Sequence, residues 1–111
     1  MSECVFCKII VGELPGTIVA ETESLVVIKD IAPRAPIHYL IMPRKHLSDM
    51  NALSSSDLKL AGEMLLLARD LSQKVAGSPS FRLVANNGAA AGQTVPHLHF
   101  HFLAGGDLPS F

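Results

Sequence analysis

Histidine alternates with large apolar residues over residues 95–103, and this alternation constrains the fold more than any other feature of the chain. The alternating residues are His97, Leu98, His99, Phe100, His101 and Phe102. Successive side chains of a β-strand point to opposite faces of a sheet, so a period of two predicts a strand. We expect the apolar set to enter a core and the three imidazoles to line up on the other face. Strand propensity does not favour three imidazoles in five positions, so this face is a candidate functional site.

Two chemistries suit such a row of imidazoles. Histidines two positions apart on a strand can chelate one zinc ion that activates water. Alternatively, a neutral imidazole can act as a nucleophile while its neighbours hydrogen-bond an anionic substrate. Asn86, the loop at 88–92, Gln93 and Thr94 supply amide, hydroxyl and backbone N–H donors just before the histidines. Such donors suit a phosphate, but the spacing of the histidines leaves both chemistries open.

Glycine and proline separate the rest of the chain into short elements of the α+β class. The 111 residues are enough for one domain, which we expect to span residues 1–111. We predict a short helix over 4–11, strands over 17–21, 25–29, 37–42, 81–85 and 95–103, and one long helix over 55–76. Ser54 and Asp57 form a capping pattern at the start of the long helix, and Gly77 suits the position after its end. Pro43 is expected to end the third strand.

The composition argues against two classes of partner. Nine Lys+Arg against ten Asp+Glu give a formal net charge of −1, so the chain has no basic field for polymeric nucleic acid or an anionic membrane. The longest apolar run, at 64–68, is far shorter than the ~20 residues that a membrane span needs. The first residues lack the apolar core of a signal peptide. We therefore expect a cytoplasmic protein with no nucleic-acid or membrane partner.

The long helix carries more apolar surface than packing on one sheet face requires. Its two apolar stripes consist of Leu58, Ala61, Leu65 and Ala68, and of Leu60, Met64, Leu67, Leu71 and Val75. Charged residues make up only 17% of the chain, below the usual ~25% of soluble domains. We expect the helix of a second copy to cover the additional stripe.

The histidine row resembles a known signature. Residues 97–103, His-Leu-His-Phe-His-Phe-Leu, are similar to the motif of the histidine triad (HIT) superfamily, and residues 6–15, 30–46 and 92–106 resemble its Hint branch in order and spacing. The resemblance implies a HIT-like α+β fold with about five mostly antiparallel strands, one short N-terminal helix and one long helix. It also implies a homodimer with a helix-mediated interface. The implied activity is hydrolysis of purine nucleoside 5′-phosphoramidates or related conjugates of AMP.

The resemblance assigns catalytic roles to four residues. His99, the middle histidine, would attack the α-phosphorus and form a nucleotidyl-histidine intermediate that water then cleaves. His101 would hydrogen-bond the phosphoryl oxygens, and the Thr94 hydroxyl would lie near the leaving group. His38 matches a family histidine that supports the triad.

The resemblance also implies a nucleotide-binding set. Asn86 and the backbone at Gly92 would assist in binding the phosphoryl group, and Asp30 would bind the ribose hydroxyls. The apolar residues at the positions that enclose the base are Phe6, Ile9, Leu14, Ile28, Ile31 and Leu40.

Both cysteines belong to one Cys4-x-x-Cys7 pair. In a reducing compartment such a pair favours a metal or redox role over a structural disulfide. In zinc-bearing members of the superfamily the pair combines with a histidine after the proline-rich strand and with the first triad histidine, here His46 and His97. Two thiolates and two imidazoles are a closed tetrahedral ligand set, typical of structural zinc. The resemblance thus implies a structural zinc that joins the N-terminal helix to the histidine strand.

Two other hypotheses for the function remain at this point. In one, His97, His99 and His101 all bind a single catalytic zinc of a metallohydrolase. In the other, the chain is a nucleotide-binding regulatory module with incidental activity. Thr94 and Pro96 stand where many relatives have serine and tyrosine, and the Trp-Pro-Pro-Gly tail of many Hint proteins is replaced by other residues. These differences leave the identity of the leaving group open.

Overall fold

Five antiparallel strands form a single sheet in the computed structural model, which describes residues 3–74, 77 and 79–111. The strands are β1 (Ile18–Glu21), β2 (Leu25–Lys29), β3 (Ile37–Pro43), β4 (Phe81–Val84) and β5 (Phe100–Ala104). Their order across the sheet is β1-β2-β3-β5-β4, and every neighbouring pair is antiparallel. Because β5 is inserted between β3 and β4, the strand that carries His101 has a partner on both sides.

Two helices accompany the sheet, α1 (Val5–Ile10) and α2 (Leu58–Lys74). Cys4 is the N-cap of α1, and its Sγ accepts a hydrogen bond from the Cys7 N–H at 3.3 Å. A 3₁₀ turn over Ser55–Asp57 precedes α2. The Asp57 carboxylate accepts hydrogen bonds from Lys45 Nζ at 2.7 Å and from the Ser54 N–H at 3.0 Å. These bonds lower the pKa of Asp57, so its charge fixes the start of the long helix.

The alternation of side chains along the strands divides the core between the two sheet faces. The α2 side contains Leu25, Val27, Tyr39, Ile41, Met64, Ala68, Leu71, Leu98 and Phe102. The Phe102 ring stacks on Tyr39 and Phe81, with centroid separations of 6.1 and 5.2 Å. The α1 side contains Cys4, Phe6, Val26, Ile28, Leu40 and Met42. Each helix therefore covers its own face of the sheet.

The predicted fold class is confirmed, and most element bounds agree to within a residue or two. The strand at 25–29 is as predicted. The first three residues of the predicted long helix are 3₁₀ rather than α, and its last two predicted residues, Val75 and Ala76, lie outside the described residues. The strand predicted over 37–42 extends by one residue, because Pro43 still pairs with Leu25, and it ends at this proline.

The prediction of a strand over 95–103 was wrong at its start, since β5 begins only at Phe100. Pro96 has no N–H to donate to a ladder. The Leu98 N–H instead donates to the Leu47 carbonyl at 2.7 Å, and the His97 N–H donates to the Val95 carbonyl at 2.8 Å. The backbone before β5 is therefore held by one hydrogen bond to the segment that follows β3 and by one within residues 95–97.

No helix in the described ranges is long and apolar enough to cross a membrane.

Candidate active site and candidate metal centre

The triad histidines lie on the α1 face, and the apolar residues between them lie on the α2 face. The Phe6 ring contacts His97 and His99 edge to face, with centroid separations of 6.0 and 5.1 Å. Leu98 and Phe102 belong to the α2-side core, and Phe100 packs against it. The predicted separation of the two sets is thus confirmed, although only His101 of the three lies within β5.

A cavity of about 640 Å³ opens beside two of the triad histidines. Seven predicted site residues line it: Asp30, His38, Asn86, Gly92, Thr94, His99 and His101. It is also lined by Arg34, Arg82 and residues 108–111, which sequence reasoning missed. The alternation of side chains in β4 could have identified Arg82. Val84 pairs with His101 and Arg82, two residues earlier, pairs with Leu103. Arg82 consequently shares the face of the histidines.

The protonation of the His99 ring follows from its hydrogen bond to the backbone. Its Nδ1 lies 2.7 Å from the His97 carbonyl oxygen. Because a carbonyl oxygen only accepts hydrogen bonds, Nδ1 carries the proton and donates it. The other nitrogen, Nε2, is then unprotonated in the neutral ring, and no group in the described part of the chain hydrogen-bonds it. This is the tautomer that a nucleophilic imidazole needs.

His38 and His101 form a hydrogen-bonded relay at the cavity wall. The Arg34 backbone N–H donates to His38 Nδ1 at 3.0 Å, so His38 carries its proton on Nε2. His38 Nε2 lies 2.9 Å from His101 Nδ1 and donates to it. His101 therefore carries its own proton on Nε2. The relay makes His101 a hydrogen-bond donor at its other ring nitrogen.

Both relay histidines are uncharged at neutral pH. Burial lowers the pKa of His101 to about 4, and the neighbouring His99 and His38 rings act in the same direction. Burial also lowers the pKa of His38, although the Asp30 carboxylate, 3.4 Å from its Nε2, opposes this effect. The neutral rings agree with the proton positions inferred from the hydrogen bonds.

The loop between β4 and the triad is built around two glycines and one glutamine. Gly88 and Gly92 have φ values of 91° and 94°, which favour glycine at both positions. Gln93 accepts from the Gly88 N–H at 2.7 Å and donates to the Ser48 carbonyl at 2.7 Å. The Gly92 N–H donates to the Ala89 carbonyl at 3.0 Å, so the turn itself uses this donor. A phosphoryl oxygen at Gly92 would therefore have to share this N–H with Ala89, because the Gly92 carbonyl only accepts hydrogen bonds.

The six residues expected to enclose a base do not line this cavity. Phe6, Ile28 and Leu40 are buried in the α1-side core, and Ile9 packs against it. Leu14 is 38% exposed and Ile31 is fully exposed. Their role in base binding remains a prediction.

The four predicted metal ligands, Cys4, Cys7, His46 and His97, converge at the N-terminal end of α1. The Sγ atoms of Cys4 and Cys7 lie 3.4 and 3.5 Å from His97 Nδ1, and Cys7 Sγ lies 3.3 Å from His46 Nδ1. The two Nδ1 atoms are 3.2 Å apart. Zn–S bonds of about 2.3 Å and Zn–N bonds of about 2.0–2.1 Å in a tetrahedron place sulfur about 3.5 Å from nitrogen, and the nitrogens about 3.3 Å apart. The observed distances fit this geometry.

The protonation of these ligands also suits a cation. His97 Nε2 donates to the Pro43 carbonyl at 2.8 Å, which leaves Nδ1 as a lone pair facing the two sulfurs. Burial lowers the pKa of His97 and so favours this neutral ring. Burial and the nearby Cys4 thiol raise the pKa of Cys7. Two thiolates this close together would need a positive ion between them.

The three triad histidines do not share one centre. His97 Nδ1 faces the cysteines, His99 Nδ1 faces a backbone carbonyl, and His101 Nδ1 accepts from His38. A second group of possible ligands in the described residues is Asp30, His38 and His101. In this group His38 Nε2 and His101 Nδ1 lie 2.9 Å apart, which is a hydrogen-bond distance. It is shorter than the ~3.3 Å expected between two nitrogens bound to a tetrahedral zinc ion. The geometry does not favour a catalytic zinc on the triad.

Comparison with known proteins establishes the family. A family model described as scavenger mRNA decapping enzyme C-term binding matches residues 3–108. An uncharacterised HIT-like protein of Synechocystis is 43% identical over 103 residues, which cover 93% of this chain and 90% of that protein. The chain belongs to the histidine triad (HIT) superfamily. The family predicted from the sequence is therefore confirmed.

Solved structures agree with the HIT assignment. A HIT family hydrolase from Clostridium thermocellum is 40% identical and superposes with a TM-score of 0.93, covering 100% of this HIT protein and 97% of that chain. A Zn-bound histidine triad family protein from Mycobacterium smegmatis is 30% identical with a TM-score of 0.78, covering 93% and 75% of the two chains.

We predict that lowering the pH from about 6.5 towards 4 destabilises the HIT protein partly through His101. The unfolded chain protonates this histidine near its ordinary pKa of 6.5, whereas the folded protein keeps it neutral down to about pH 4. The unfolded state therefore binds more protons in this window, so the contribution to stability is full above pH 6.5 and falls with pH. Urea unfolding midpoints of His101→Gln should depend less steeply on pH than those of the wild type. Equal slopes would contradict the burial of a neutral His101.

Proposed function

We propose that this HIT protein hydrolyses purine nucleoside 5′-phosphoramidates, or related conjugates of AMP, through a nucleotidyl-histidine intermediate on His99. The observation that carries the proposal is the unprotonated Nε2 of His99 beside a cavity lined by donors. The solved HIT family hydrolase of Clostridium thermocellum supports the hydrolase class. Similarity over residues 6–15, 30–46 and 92–106 supports the Hint branch. One HIT domain over residues 1–111 and a cytoplasmic location are further parts of the proposal.

In the first step, His99 Nε2 forms a bond to the α-phosphorus and the bond from phosphorus to the leaving nitrogen breaks. The His99 ring gains positive charge in this step, and its Nδ1–H is already directed at the His97 carbonyl. That oxygen stabilises the cationic ring. The leaving amine takes a proton, and we assign its delivery to the Thr94 hydroxyl at the cavity wall, which takes a proton from water as it gives up its own.

In the second step, a water molecule forms a bond to phosphorus and the bond to His99 Nε2 breaks. The attacking water loses one proton to solvent, which balances the proton taken by the leaving amine. The products are a nucleoside monophosphate and the regenerated neutral imidazole. Splitting the displacement into two steps lets the protein use a stronger nucleophile than water in the first.

His101 and His38 serve the phosphoryl group in this proposal. His101 donates its Nε2–H to a phosphoryl oxygen because its Nδ1 is occupied by the bond from His38. Since the relay is neutral and its proton positions are set in advance, the donor needs no rearrangement when charge develops on the oxygen. Asn86 supplies a further amide donor, and the Asp30 carboxylate binds the ribose hydroxyls.

We predict that His99→Ala lowers kcat for an adenosine 5′-phosphoramidate at least about 10³-fold, because no other imidazole can take its place. AMP affinity measured by calorimetry should change little. Thr94→Ser keeps the hydroxyl and should retain most activity, which makes it a matched control. Turnover by His99→Ala near the wild-type rate would contradict the assignment of the nucleophile.

We also propose that Cys4, Cys7, His46 and His97 hold a structural zinc ion. The distances among their sulfur and nitrogen atoms support this, as does the Zn-bound relative from Mycobacterium smegmatis. A bound ion would supply a crosslink between α1 and the segment that precedes β5. No step of the proposed reaction uses it.

We predict one zinc per chain by elemental analysis of the purified protein. Cys4→Ser/Cys7→Ser should lose the metal and unfold at a temperature lower by at least about 5 °C, because the crosslink is lost. His99→Ala and His101→Gln should keep the metal, since neither side chain belongs to the cluster. Zinc that persists in the double serine variant but disappears with His99→Ala would contradict this assignment.

The homodimer is a further part of the proposal, with α2 at its interface. Leu58, Leu65 and Leu66 are 78%, 57% and 52% exposed on the outer side of this helix. Gly62 lies among them, and a Cβ there would meet nothing within 4 Å. A glycine inside a helix costs stability, but it lets a second backbone approach closely. The exposed leucines and the glycine together support a self-associating face.

We predict that sedimentation gives twice the 11.9 kDa mass of the chain. Leu65→Glu should shift the protein to the monomer, because it places a charge in an apolar contact. Val11→Glu changes a 67% exposed residue outside α2 and should leave the mass unchanged. A monomeric wild type, or dissociation of both variants alike, would count against the α2 interface.

A further inference from the structure

The cavity contains two arginines that the proposed chemistry does not use, Arg34 in the loop between β2 and β3 and Arg82 on β4. We propose that their guanidinium groups form an anion subsite for the leaving group. The preferred substrates are then AMP conjugates whose leaving amine carries a second anionic group, a carboxylate or a phosphate. This inference rests on the proposed function and narrows its substrates.

Sheet register places Arg82 on the leaving-group side of the cavity. Across β3, β5 and β4, His38 pairs with Leu103 and Leu103 with Arg82. Asp30, the proposed ribose ligand, follows β2 at the opposite end of this row. The catalytic histidines of β3 and β5 lie between the two ends. A nucleoside held at Asp30 thus directs the other substituent of the phosphorus towards β4 and Arg82.

Neither guanidinium group is neutralised by a carboxylate within the described residues. Among the other lysines and arginines that the structure describes, Arg44 pairs with Glu21, Lys45 with Asp57, and Arg69 with Asp70. Arg82 donates to the uncharged Pro109 carbonyl at 2.8 Å. The Arg34 guanidinium forms no ion pair or hydrogen bond in that part of the chain.

Asp30, the acidic side chain that lines the cavity, contacts groups other than the two arginines. Asp30 accepts from the Ala32 N–H at 2.8 Å and lies 3.4 Å from His38 Nε2. The charge of Arg34, in contrast, acts towards the catalytic relay, where it adds to burial in lowering the pKa of His38 and His101. The two arginines therefore present positive charge to whatever fills the cavity.

Arginine suits the proposed ligand better than any other cationic side chain. Its planar fork of N–H donors matches carboxylate and phosphate oxygens and can bind them in a bidentate manner. A substrate with a neutral leaving group would leave Arg34 without a partner, whereas an anionic one provides it. The expected consequence is discrimination between substrates that differ only in this charge.

The test compares adenosine 5′-phosphoramidates of glycine and of glycinamide, which differ only in a carboxylate and a carboxamide. The wild type should favour the glycine conjugate about tenfold in kcat/KM. Arg34→Gln/Arg82→Gln should bring the ratio close to one, and Arg34→Lys/Arg82→Lys should keep part of the preference. Arg69→Gln, which removes an arginine on α2, is the matched control and should leave the ratio unchanged.

A third conjugate, with aminomethylphosphonate, separates the two sources of negative charge. Preference for the carboxylate or for the phosphonate over glycinamide supports the subsite and identifies its ligand. Preference for neither overturns it, as does an unchanged ratio in the double glutamine variant.

Failure of the proposed function would be distinct from failure of the subsite. If the wild type cleaves neither conjugate, the proposed function is wrong. Calorimetry with the same conjugates then tests the subsite alone. Tighter binding of the glycine conjugate that is lost in the double glutamine variant supports it, and equal binding of both conjugates by the wild type overturns it.

Discussion

The hydrogen bond from His99 Nδ1 to the His97 carbonyl is the interaction on which the rest of the site depends. It sets the tautomer of the proposed nucleophile and supplies an acceptor for the charge that develops on the ring. The carbonyl is available because the backbone before Phe100 does not join the β-ladder. His97 is itself fixed by Pro43 and by the cysteine and histidine cluster. Through His97, the candidate metal centre thus supports the ring of the proposed nucleophile from outside the cavity.

The larger apolar core and the candidate active site lie on opposite faces of the sheet. Its α2 face holds the larger apolar core, with Phe102 between Tyr39 and Phe81. Its other face carries the buried imidazoles of His38, His97 and His99, each with a hydrogen-bond partner. Because neighbouring residues of β5 face opposite sides of the sheet, His101 is attached to the strand whose Phe102 lies in the apolar core, and the proposed nucleophile His99 immediately precedes that strand. Such attachment limits the reorganisation that the reaction requires.

The sequence predicts much of the arrangement, but not the contacts that depend on register and loops. A period of two was sufficient to separate the histidines from Leu98 and Phe102. The true start of β5 depends on a bond from Leu98 to Leu47, which local pattern does not encode. The pairing that brings Arg82 into the cavity arises only when β5 is inserted between β3 and β4. Ile31, predicted by resemblance to enclose a base, lies in the loop between β2 and β3 and is fully exposed.

The most direct test of the covalent role proposed for His99 is mass spectrometry after rapid quenching with an adenosine 5′-phosphoramidate. At times shorter than one turnover, the protein should gain the mass of one adenylyl group, and fragmentation should locate it on His99. His99→Ala provides the control and should gain nothing. Turnover without any such adduct, or an adduct on another histidine, would contradict the account.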